Sequence, residues 1–105
     1  MSKYQNIQTR IGDKVYDSRK EARRAMELRL MERAGEIEGL EEQKRYMLLP
    51  AQDGEKPVYY VADFRYVDNR TGEVVVEDVK GVRTKEYILK RKMMLFFFNI
   101  KVREV

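Results

Sequence analysis

The chain has 105 residues with no cysteine and no histidine, and 22 basic against 18 acidic side chains give a net charge of +4. That length supports one domain, 1–105, around one core with little room for appended modules. Without Cys or His there is no disulfide, no zinc site of the usual kinds and no thiol or imidazole chemistry, which leaves carboxylates, lysines and tyrosines for any catalysis. The modest positive charge permits attraction to an anionic polymer and serves solubility equally well. Met93 to Phe98 is the longest apolar run, far too short to cross a bilayer, and the N-terminus reads without a signal-peptide core; a cytoplasmic protein is expected.

In chain order, residues 1 to 8 are polar and read as a loose lead-in, and Thr9 to Tyr16, with Gly12-Asp13 at its centre, reads as a small hairpin or edge strand. Ser18 to Ala34 is predicted as a helix stopped by Gly35. Gln43 to Leu49 reads as a strand and Pro50 to Pro57 as a loop. Val58 to Val67, rich in Tyr, Val and Phe, and Glu73 to Val79, with four valines in seven residues, read as two strands joined by the turn residues Asp68 to Gly72. A helix follows from about Thr84, which can cap it, to Phe98, with Tyr87, Ile88, Met94 and Leu95 as its sheet-facing residues. Ile100 to Val105 alternates as a last strand. The expected fold is α/β: a helix, a three-stranded antiparallel meander, a helix and a final strand parallel to Glu73–Val79 through a right-handed crossover, in a mixed sheet flanked by helices.

The meander carries the chemistry. If Asp68 pairs with Glu73, the loop is Asn69 to Gly72, and the same register sets Asp63 directly opposite Asp78. Side chains alternate along a strand, so Asp78 and Lys80 share a face and Glu77 points the other way. Opposed residues have Cβ atoms about 5 Å apart. Two carboxylates at that spacing repel by roughly 3 kcal/mol at an effective dielectric of about 20, and Lys80 offsets only part of it. A hard divalent cation such as Mg²⁺, which takes one or two carboxylates and fills its other positions with water and phosphate, complements such a cluster. A surface ion pair is the alternative for Asp78 and Lys80 alone, but carboxylates inside two strongly apolar strands are unusual.

Glu21 lies three residues after Ser18 and can complete a capping box. It also belongs to an i, i+4, i+7 stripe with Ala25 and Leu28, which sets it on the margin of the apolar face; the sheet-facing role is preferred. Basic residues gather on both sides of the acids. Gly81, Arg83, Lys85 and Lys90, with Arg91 and Lys92, follow Lys80, where Gly81 lets a phosphate approach the backbone and the helix start holds flanking phosphates. Arg19, Lys20, Arg23 and Arg24 form a second basic turn beside Glu21. Lys90 to Lys92 can equally be the solvated face of the second helix.

An acid in the first helix, then Asp63, then Asp78-Val79-Lys80 resembles the PD-(D/E)xK nuclease superfamily, and within it a small phage-encoded family related to Holliday-junction resolvases. The strings Tyr16-Asp17-Ser18-Arg19-Lys20-Glu21-Ala22, Tyr60-Val61-Ala62-Asp63-Phe64 and Val76-Glu77-Asp78-Val79-Lys80-Gly81 carry the likeness, from about Thr9 to Val105, with Ala62 where the motif name has proline. The resemblance implies a restriction-endonuclease-like core. It implies that Asp63 and Asp78 bind Mg²⁺, for which Mn²⁺ substitutes, that Lys80 orients or activates the attacking water, and that Glu21 binds or positions the metal.

The expected function is therefore Mg²⁺-dependent endonucleolytic cleavage of DNA. Nothing in the chain reads as a base-recognition module, so selectivity for structure, such as a branch or junction, is expected over selectivity for sequence. Symmetric cutting of a junction calls for a C2 homodimer. Two rivals are a non-catalytic nucleic-acid-binding module on the same fold, and a structural or interaction domain in which Asp63, Asp78 and Lys80 form an ion network.

Overall fold

The computed structural model describes residues 7–105; residues 1–6, most of the predicted lead-in, lie outside them. β1 (Thr9–Ile11) and β2 (Lys14–Tyr16) form a small hairpin, and α1 (Arg19–Arg33) follows at once. A four-stranded sheet in the order β3-β4-β5-β6 comprises β3 (Ile37–Leu49), β4 (Val58–Asp68), β5 (Val74–Asp78) and β6 (Arg103–Glu104), with α2 (Lys85–Phe98) between β5 and β6. β3, β4 and β5 are antiparallel neighbours and β6 joins β5 in parallel, so the sheet is mixed, as the element order led one to expect.

Local chemistry explains the boundaries. Ser18 Oγ accepts the Glu21 backbone N–H at 3.1 Å, capping α1. Gly35, at φ +81, turns the chain out of the helix as only glycine does without strain. Thr84 caps α2 in the same way through Tyr87, and Asn99 ends it in the left-handed region. The last strand is shorter than the sequence pattern, two residues rather than six.

The largest departure lies in β3, which begins at Ile37 rather than Gln43. Its added half, Glu38 to Glu42, carries three glutamates and does not read as a strand. The charge of its last residue, Glu42, is met from outside the sheet. Glu42 accepts Tyr16 Oη at 2.8 Å, Arg29 at 2.9 Å and Lys14 at 3.1 Å, tying the hairpin and α1 to the strand. β4 then completes the backbone pairing from Glu41↔Arg65 and Glu42↔Phe64.

Two apolar clusters sandwich the sheet. Ala22, Ala25 and Leu28 of α1 pack with Phe64, Tyr66 and Val75, whereas Tyr87 and Met94 of α2 pack with Tyr60, Ala62 and Val76. Tyr60, Ala62, Phe64 and Tyr66 share one parity along β4 yet serve both clusters. The change of side falls where Gln43, at φ +56, interrupts the pairing between Glu42↔Phe64 and Lys44↔Ala62. Asp63 sits at that bend.

Candidate active site

The β4–β5 register is the one the turn implied. Asp68 N–H donates to Glu73 O at 2.9 Å, and pairing runs from Val67↔Val74 to Phe64↔Glu77. One step further, Asp63 and Asp78 oppose each other, but the ladder stops and the strands diverge. In its place Asp63 Oδ2 accepts the Val79 backbone N–H at 2.8 Å. The fork thus holds a carboxylate against the backbone of the next strand.

Asp78 is almost fully buried. Its Oδ2 accepts Tyr60 Oη at 2.5 Å and lies 3.4 Å from Lys80 Nζ. Lys80 in turn rests 4.3 Å from the centre of the Tyr87 ring, which holds the ammonium beside the carboxylate. Burial, then the contact with Asp78 and its charge, push the Asp63 carboxyl up to about 8, while the Val79 N–H pulls it down. Burial and the bond to Asp78 raise the Tyr60 hydroxyl, so it stays a donor. Two carboxylates therefore meet with one ammonium, and a proton at neutral pH makes up the deficit.

Glu21 approaches from α1 and is buried. Its carboxylate accepts Gln43 Nε2 at 3.0 Å, and the same nitrogen lies 3.5 Å from Asp63 Oδ1, at the outer limit of hydrogen bonding. The sheet-facing role of Glu21 prevails; only the Ser18 half of the capping box forms. Burial and the charge of Asp17 raise the Glu21 carboxyl above the usual carboxylate range. Gln43 was not a candidate in the sequence, where nothing distinguishes a lone glutamine. Its signal is conformational, a left-handed residue in mid-strand whose side chain links two acids.

Glu77 faces the other way, as strand parity requires. Arg24 donates to both its oxygens, at 2.8 and 2.7 Å, and Tyr66 Oη donates a further short bond. This corrects the expected second basic turn: Arg24 is committed to Glu77, leaving Arg19, Lys20 and Arg23 exposed on α1. Around α2, Arg83 is paired with Glu104, which also accepts Tyr87 and Arg91, and Lys90 is paired with Glu86. Lys85 and Gly81 are exposed, and a side chain at Gly81 would meet nothing within 4 Å, so the backbone there is open to approach.

Among the described residues, no three or more acids are gathered round one point where an ion could sit. What is brought together is Asp63, Asp78 and Lys80, with Glu21 linked through Gln43. The donors are carboxylate oxygens alone, the set that hard divalent cations prefer, and Mg²⁺ needs only one or two of them. Burial first, and then the neighbouring Asp78, disfavour the charged form of Asp63.

A family model described as protein of unknown function (DUF1064) matches residues 1–105. No curated protein and no solved structure matches the chain.

Proposed function

We propose that this chain, which belongs to the DUF1064 family, is a Mg²⁺-dependent endonuclease that hydrolyses DNA phosphodiesters on a restriction-endonuclease-like core and selects branched DNA over base sequence. One observation carries the reading: at the strand fork two carboxylates oppose each other with Lys80 alongside, and Asp63 keeps a proton up to about pH 8.

Asp63 and Asp78 would hold the metal, with Glu21 and Gln43 steadying Asp63 from the α1 side. Bound Mg²⁺ supplies the charge that polarises a phosphate and acidifies its water. Tyr60 fixes the Asp78 carboxylate in one orientation, and Val79 N–H fixes Asp63. Lys80 is a cation already positioned on the same face, where it orients the attacking water and offsets negative charge developing on the phosphate. Arg19, Lys20 and Arg23 on one side, and Gly81 with Lys85 on the other, offer contacts to flanking phosphates. Arg83 and Lys90 contribute less, since Glu104 and Glu86 already neutralise them.

The wide placement of Glu21, whose link to the aspartates runs through Gln43, favours a second reading: a nucleic-acid-binding module without catalysis. The deciding experiment is incubation of the purified chain with a four-way junction, a flap, a plain duplex and single-stranded DNA, in Mg²⁺ or EDTA. Cutting of the branched substrates in Mg²⁺ alone is expected. Salt-sensitive binding without cutting in any divalent metal would support the second reading, and neither binding nor cutting would point to a structural domain.

A further inference from the structure

α2 shows more apolar surface than its place in the fold accounts for. Of its 14 residues only Tyr87 and Met94 are buried, and Ile88 and Leu95, expected against the sheet, face outward instead. The reason is geometric. Six consecutive apolar residues, Met93 to Phe98, go round the whole helix, and the sheet can cover one side only. Phe96 is 83% exposed and Leu89 57%. Ile88 and Leu95 are seven residues apart, as are Leu89 and Phe96, the spacing of a helix–helix seam.

We propose that this outer face of α2 is the interface of a two-fold homodimer. Ile88, Leu89, Leu95, Phe96 and Phe97 together leave on the order of 500 Å² in water, the upper range for a monomer's largest apolar patch and well over half of what each partner in a stable interface buries. Beside the protruding Phe96 lies an apolar groove of about 430 Å³ lined by Lys92, Met93, Leu95, Phe96 and Phe97. Knob and groove share one patch, so a two-fold axis near Phe96 seats each copy's ring in the other's groove. Met93 to Phe98 contains no charged residue, but Lys85 and Lys92 lie on the stripe of Leu89 and Phe96, at the three- and four-residue spacing of one helix face. Lys92 lines the groove, so the dimer requires both copies' Lys92 ammoniums at the rim, in water, with their stems against the apolar surface. The interface stands on α2 alone and holds whether or not the chain cuts DNA.

The test is sedimentation of the full chain at concentrations up to about 100 µM. The wild type is expected to sediment at twice the monomer mass, and Phe96→Glu and Leu89→Lys as monomers with unchanged near-ultraviolet circular dichroism. Met26→Glu, on the exposed side of α1, is expected to leave the dimer intact. The chain has no cysteine, so Phe96→Cys introduces a single thiol next to the axis. Mild oxidation is expected to cross-link it into covalent dimers and to leave Met26→Cys monomeric, a readout that stands even where a charged variant fails to fold. A wild type monomeric throughout overturns the proposal, as do dimers that persist in both charged variants.

Discussion

Glu77 and Asp78 are neighbours on one strand, both buried acids, and their surroundings differ in kind. Glu77 is closed: Arg24 binds both its oxygens and Tyr66 adds a third donor, so its charge is matched and its lone pairs are occupied. Asp78 is open: it shares one lysine with a second carboxylate, Asp63, which burial first and the Asp78 charge second leave holding a proton up to about pH 8. The closed pair holds α1 against the sheet. The open one is where the proposed cation would sit, and strand alternation alone sets the two acids on opposite faces.

The comparison breaks most sharply under charge removal. Glu77→Gln leaves the Arg24 guanidinium, 24% exposed, without its partner, and a loss of about 3 kcal/mol is expected, or about 15 °C in melting temperature. Cleavage per folded molecule is expected to stay within a few-fold. Asp78→Asn and Lys80→Ala are expected to do the reverse, with cleavage falling on the order of 10³-fold and folding and DNA binding nearly unchanged. Melting curves and single-turnover cleavage of the three variants check it; equal loss of cleavage in Glu77→Gln and Asp78→Asn would erase the distinction between the faces.

The next effect is a dependence on pH. Asp63 holds its proton up to about 8 in the fold, against an ordinary value of 3.8. Between those values the folded state binds a proton that the unfolded chain has released, so stability falls as pH rises through the window and levels off above it. Metal-free melting temperature is therefore expected to drop by several degrees from pH 5 to pH 8. In Asp63→Asn, whose amide oxygen can still accept the Val79 N–H, the curve is expected to be flatter and the melting temperature at pH 8 higher. A wild type that gains stability across this range would show Asp63 ionised throughout.

Much of this contrast was legible in the sequence. The Asp68 to Gly72 turn set the register, the register brought Asp63 opposite Asp78, and alternation separated Glu77 from Asp78; each step uses local chemistry alone. The Ser18 and Thr84 caps likewise fixed the starts of both helices. What stayed illegible depends on partners distant in the chain. Glu38 to Glu42 is held as a strand where Arg29 and Lys14 neutralise Glu42 and Tyr16 donates to it, and Arg24 leaves the basic rim because Glu77 lies under it. Gln43 was hidden for another reason: a left-handed glutamine is a tertiary outcome that no propensity announces.

Gln43 gives a smaller effect. A left-handed non-glycine residue costs on the order of 1 kcal/mol, so Gln43→Gly is expected to raise the melting temperature by about 4 °C. Losing the link between Glu21 and Asp63 is expected to slow cleavage about tenfold, roughly the loss of one positioning hydrogen bond. Gln43→Ala is expected to lose rate without gaining stability. Unchanged cleavage in both variants would remove Gln43 from the site. The smallest effect separates the rims: Lys85→Ala is expected to shallow the dependence of log K on log salt by about 0.9, and Arg83→Ala by less, because Glu104 already neutralises Arg83. Equal changes would mean that Arg83 leaves Glu104 for a phosphate.

The most direct measurement is calorimetric titration of Mn²⁺ into the metal-free protein at pH 7, in two buffers of different ionisation enthalpy. Binding that displaces about one proton, the one held by Asp63, and that disappears in Asp78→Asn is the expected result. Absence of binding, or equal binding by Asp78→Asn, would contradict a metal site at the fork.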